Sequence, residues 1–227
     1  MRSIFASIGL ALALVFVAQQ ANATPITYEF SGTASGAIGG TSFTDALVVF
    51  TGTADTADVV SLSFLGDTFY AVALDGLTVN IAGFGTATIT DATEVFGIPQ
   101  PFIDPEGEIP AIPLVILGRI DNPPDLDSFT GIASAGSNGL AGYDLTTSIG
   151  PIGDIGGVGG FNNCGTPGND PCLSTSLGAL SFTTSILEQS GGQFTATLQN
   201  VPEPSTLLLM SGGVLAFVRR SRRGGRG

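Results

Sequence analysis

Gln193-Phe194-Thr195-Ala196-Thr197-Leu198-Gln199 carries an apolar side chain at every second position. A β-strand turns successive side chains to opposite faces, so Phe194, Ala196 and Leu198 share one face and the polar residues share the other. The stretch predicts a half-buried strand of an antiparallel sheet. The same period recurs in Val60 to Phe64, in Leu77 to Ile81, in Thr86 to Thr90 and in Leu180 to Ile186. Asp75-Gly76 stands between Phe69 to Leu74 and Leu77 to Ile81, and that dipeptide between apolar runs is a strong hairpin signal. Gly66-Asp67 and Gly83 are expected turns. No long apolar period of 3.6 residues persists between Thr24 and Asn200. Many short strands at even spacing predict an all-β chain, with an antiparallel β-sandwich or jelly-roll-like body.

Two stretches interrupt the alternation. Ile98 to Asp127 holds seven of the 13 prolines and six acids around one strand-like piece, Leu114 to Ile120. Gly131 to Gly168 holds 12 glycines and reads as long loops with short edge strands. Neither marks a clean boundary, so Thr24 to Asn200, 177 residues, is read as a single domain.

Composition excludes much chemistry. The 227 residues include 19 acids, seven arginines, no lysine, no histidine and no tryptophan, for a net charge of -12. Without histidine there is no Ser-His-Asp or Cys-His nucleophile, no imidazole zinc ligand and no imidazole switch near neutral pH. Arg2 and the cluster Arg219, Arg220, Arg222, Arg223 and Arg226 hold the basic charge at the two ends. Between Thr24 and Asn200 stand 18 acids against Arg119 alone, about -17. Nucleic acid is not an expected partner, because the phosphate backbone requires clustered Lys or Arg.

The ends read as addresses. Met1-Arg2-Ser3, the apolar run Ile4 to Ala18 and the small-residue pattern Ala21-Asn22-Ala23 are the three parts of a secretory signal peptide, with cleavage expected before Thr24. Residues 1–23 would then form a signal helix removed after passage through the Sec machinery and signal peptidase. At the other end, residues 201–227 comprise Val201-Pro202-Glu203-Pro204-Ser205-Thr206, an apolar segment Leu207 to Val218 and the arginines. The prolines keep the motif extended, and a short hydrophobic helix can begin at Ser205. About 14 helical residues span roughly 21 Å, less than the ~30 Å hydrocarbon core, a gap that snorkelling arginines and local thinning can close. Positive charge stays on the cytoplasmic side, which orients the body outward.

Val201 to Thr206, the Leu-rich segment and the terminal arginines together resemble the PEP-CTERM sorting signal, whose tail is also labelled the C-terminal domain of ice-binding proteins. The resemblance covers Val201 to about Arg223. It implies an exported substrate of exosortase, a membrane-embedded transpeptidase-like enzyme of Gram-negative exopolysaccharide producers. It further implies recognition at Pro202-Glu203-Pro204, transient anchoring in the inner membrane, removal of the helix and arginines, and delivery to the cell surface or extracellular matrix. An ordinary single-pass anchor is the alternative for the tail.

Candidate sites in the body are few. Cys164 and Cys172 bracket a turn-rich loop, and an isolated pair in an exported chain is most simply a disulfide. Asp121, Asp125 and Asp127, preceded by Asp104, Glu106 and Glu108, offer hard oxygen ligands that would suit calcium, against the simpler reading of a solvated acidic surface. The spacing does not match an EF-hand loop, and no other cofactor is expected. Paired carboxylates could serve a glycoside hydrolase, with Glu94, Asp104, Glu106 and Glu108 as nominees. The absence of tryptophan removes the best sugar-stacking platform. Ice binding would need a flat regular array of threonines, and Thr86, Thr88 and Thr90 form only one row. The expected function is a non-enzymatic structural protein of the surface or biofilm matrix. A secreted polysaccharide- or calcium-binding module is the alternative.

Overall fold

The computed structural model describes residues 24–64, 67–100, 112–120, 129–153, 156–159, 172–183 and 191–199, all within the unit Thr24–Gln199. Its longest elements are β1 (Pro25–Ile38) and β2 (Thr41–Asp55), which pair antiparallel along almost their whole length. Gly39 and Gly40 join them with φ of +55° and +81°, the two left-handed positions that a tight two-residue turn requires. Their buried residues alternate: Ile26, Tyr28, Phe30 and Ala34 on β1, Val48, Phe50 and Ala54 on β2.

The remaining strands are β3 (Val60–Phe64), β4 (Asp67–Ala73), β5 (Gly76–Ile81), β6 (Gly85–Thr88), β7 (Thr93–Ile98), β8 (Leu114–Ile120), β9 (Phe129–Gly136), β10 (Ile149–Ile152), β11 (Leu173–Thr175), β12 (Gly178–Phe182) and β13 (Gln193–Leu198). One sheet of eight runs β10-β13-β1-β2-β5-β6, with β12 also on β1 and β11 on β12. A sheet of five runs β3-β4-β7-β8-β9. Every strand pairing is antiparallel. The larger sheet curls into a half-barrel: the Ile89–Thr175 bridge, with Ser176 N–H donating to Thr88 O at 2.8 Å, brings β11 against the end of β6. The only helical elements among the described residues are the single 3-10 turns Thr56–Asp58 and Asn138–Leu140.

The two sheets share one core. Tyr28, Phe30, Phe50, Phe182 and Phe194 come from the larger sheet, and Val72, Val95, Val115, Leu117 and Ala133 from the smaller. Phe30 and Phe194 meet at 4.9 Å between ring centroids, and burial of each such side chain stabilises the fold by roughly 1.5–3 kcal/mol. The smaller sheet also buries Phe69, Ala71, Phe96, Ile98 and Leu114 on its other face. Hence β7, Thr-Glu-Val-Phe-Gly-Ile, is not a simple alternating strand.

The expected strands at 60–64, 77–81, 114–120 and 193–198 are present, as is the turn at Gly83, with φ +86°. The Asp75-Gly76 hairpin is not. β4 lies in the smaller sheet and β5 in the larger, so this dipeptide carries the chain across from one sheet to the other. Gly76 does not take the positive φ that a type I′ turn needs, and Asp75 N–H is held by Thr53 O at 2.8 Å. The glycine-rich region is also more ordered than expected: β9 forms there, and Leu140, Tyr143, Leu145 and Val158 enter the core. Both expected terminal helices, and residues 184–186 of the strand expected at Leu180 to Ile186, lie outside the described residues.

Candidate functional site

The first and last described residues of the body, Thr24 and Gln199, lie at one end of the larger sheet. β13 pairs with β1 in the register Leu198 to Ile26, and Gln199 N–H donates to Pro25 O at 2.8 Å. Thr24 is held just before β1, its N–H reaching Thr56 Oγ1 at 3.4 Å and its carbonyl accepting from Thr56 N–H at 3.1 Å. The first and last residues of the body therefore emerge side by side, locked by main-chain bonds. Ala21, Ala23, the motif Val201 to Thr206 and Arg219, Arg220, Arg222 and Arg223 lie outside the described residues. Among the described residues no helix is long and apolar enough to cross a membrane.

Among the described residues the chemistry-bearing side chains do not converge. Asp104, Glu106, Glu108, Asp121, Asp125 and Asp127 lie outside the described residues, and among those described no group of three or more His, Cys, Asp or Glu could hold a metal ion. Glu94 sits on β7 between Ala73 of β4 and Gly118 of β8, so no carboxylate faces it across either ladder. Burial pushes its carboxyl above the usual range. Cys172 is fully buried and is not a free thiol, whereas Cys164 lies outside the described residues. Arg119, the body's single cation, stands 3.8 Å from Asp91, and Asp91 accepts in turn from the N–H of Ser174.

The solvent face of the larger sheet is more ordered than its sequence suggests. The ladders line up Thr195, Glu29, Thr51, Thr78 and Thr88 across five strands, and Thr197, Thr27 and Thr53 in the next row. A third row contains Gln193, Ser31, Val49, Asn80 and Thr86. Threonines thus recur on one face beyond Thr86 and Thr88, which corrects the expectation of a single row. The alternation within each strand contained this signal, but only the strand order shows that the rows coincide. Across these three rows Glu29 is the single charge, and hydroxyls and amides already bond there, as from Asn80 Nδ2 to Thr86 Oγ1 at 2.8 Å.

No curated protein and no solved structure matches the chain. Residues 200–223 match the family model described as the PEP-CTERM protein-sorting motif, beginning at the residue after Gln199 where the described body ends. The motif marks an exported protein with exosortase as its processing partner. The chain accordingly carries a PEP-CTERM protein-sorting motif at its C-terminal end.

Proposed function

We propose that the protein is anchored transiently in the inner membrane of a Gram-negative exopolysaccharide producer, cut by exosortase near Pro204 and left at the cell surface or in the matrix. There the Thr24–Gln199 body, read as a β-sandwich whose larger sheet is curled, has a structural, non-enzymatic role. The observation that carries this reading is the sorting motif placed directly after β13. The described body supports processing without unfolding, because Thr24 and Gln199 lie at one sheet end and every described strand lies between them. The intact mass of the protein recovered from its native cell tests the proposal. A species running from Thr24 to about Pro204 is expected, and one retaining Arg219 to Arg226 would make the tail a permanent anchor.

A second reading, a polysaccharide-binding module, is favoured by the threonine rows. Hydroxyls spaced ~4.8 Å across strands and ~6.7 Å along them suit a polymer of hydroxyl groups. The sheet twist of about 20–25° per strand disfavours a flat ice plane over five strands. A body near -17 repels polyanions, so the ligand would be a neutral glycan. Co-sedimentation with neutral matrix polysaccharide should be lost on replacing Thr51 and Thr78 with lysine. Equal sedimentation of both forms would refute the threonine face.

A further inference from the structure

An open strand edge presents a row of unpaired N–H and C=O groups, and natural β proteins close, cover, charge or break such edges. The larger sheet meets this need at β6, where β11 closes against it through the Ile89–Thr175 bridge. β10 ends the other side of that sheet, and it is broken by Pro151 and by a register shift between Ile149 and Ile152. β9 is covered: Ser134 N–H donates to Gly157 O at 2.9 Å, and Gly159 N–H to Ile132 O at 3.1 Å.

Among the described residues β3 has none of these protections. It ends the five-stranded sheet and pairs with β4 in unbroken register from Val60–Ala71 to Phe64–Asp67. Its sequence, Val-Ser-Leu-Ser-Phe, contains no charge, no proline and no bulge. Among the described residues nothing pairs with its outer edge. Val60 and Leu62 are 51% and 41% exposed, two of only four large hydrophobic side chains exposed to that degree among the described residues. The register sets them on the same face as Ala71 and Phe69, so they form the uncovered rim of an apolar face.

We propose that β3 pairs with β3 of a second copy of this chain, antiparallel about a two-fold axis at Leu62. The strand is its own complement. Read in either direction it alternates apolar, Ser, Leu, Ser, apolar, so the two-fold sets Leu62 against its counterpart and each serine against a serine. Position 60 then faces position 64, and the exposed rim is buried. A one-residue slip would oppose leucine to serine and is disfavoured, since side-chain period fixes register wherever one face is buried. The contact is isologous and closes at two copies, with two five-stranded sheets continuing across the dimer. Two bodies near -17 repel each other, whereas the strand itself is uncharged, so screening should favour pairing.

Sedimentation equilibrium of the exported protein, over a range of concentration at low and high sodium chloride, tests this. A monomer–dimer equilibrium that tightens with salt is expected. Leu62→Lys should weaken it by about tenfold or more, because it opposes like charges across the new ladder. That variant lowers the net negative charge, so loss of the dimer could not come from added long-range repulsion. Circular dichroism checks that it remains folded. In the otherwise native protein, Leu62→Cys should cross-link between copies on mild oxidation, and Ser61→Cys should not, since only position 62 faces itself. A protein that stays monomeric at every salt and concentration overturns the proposal. So does a dimer unchanged by Leu62→Lys, or equal cross-linking at positions 61 and 62.

Discussion

Tyr28 is buried on β1, and its hydroxyl donates to Leu145 O at 2.6 Å across 117 residues of sequence. The acceptor lies in a bend where Leu145, a non-glycine residue, holds φ at +65°. Such a backbone persists only where its surroundings over-determine it, and this hydrogen bond is one of those restraints. Beside it, Tyr143 donates to Thr147 O at 3.1 Å, and both rings contact Phe194. Burial raises both phenol pKa values, with the charge of Asp144 adding to the effect and Tyr28 also raising Tyr143. A phenol whose folded pKa exceeds the ordinary 10.0 stabilises the fold below that pH and loses the contribution as pH climbs further. Alkaline titration should therefore show two tyrosines ionising together with the loss of β circular dichroism, rather than before it. Tyr28→Phe leaves a buried carbonyl without its donor and should cost about 1–3 kcal/mol in unfolding experiments. An unchanged midpoint would show that the Leu145 bend is held by other contacts.

At the scale of elements, alternation identified strands without identifying their partners. Phe69 to Leu74 and Leu77 to Ile81 are both strands, as their side chains indicate, yet they belong to different sheets. A two-residue link can serve as a hairpin or as a crossover, and the long-range bonds of Leu74 N–H to Thr93 O and Asp75 N–H to Thr53 O select the crossover. Val60 to Phe64 is an equally regular alternation, and its apolar positions 60 and 62 face solvent because the strand ends a sheet. Glycine misled in the opposite direction. A Cβ at Gly192 would lie 2.6 Å from Gly157 Cα, and one at Gly32 would lie 3.1 Å from Val158 N. These glycines permit backbone layers to approach closely, a use that composition alone does not separate from loop formation.

At the scale of the whole molecule, one ion pair joins the two sheets. Arg119 projects from β8 of the smaller sheet to Asp91, which precedes β7, and the same carboxylate accepts from Ser174 on β11 of the larger sheet. The two side chains are only 17% and 21% exposed. Breaking such a pair leaves a partly desolvated charge behind. Arg119→Met should therefore destabilise the body by about 1–3 kcal/mol, with only weak dependence on salt. Thermal unfolding of the variant checks this, and a melting temperature equal to that of the parent would refute the joining role.

Charge placement, the missing histidine, the all-β class and the sorting signal were all legible in the sequence, because each is set by residue type and local order. A proline pair, an apolar run and an arginine cluster act as an address without needing a fold. Sheet membership, the threonine rows, the edge at β3 that no described residue covers and the pairing of Arg119 with Asp91 were decided only by the tertiary structure. Each depends on which strands lie side by side, and that choice is made by long-range burial and main-chain pairing that no local pattern encodes.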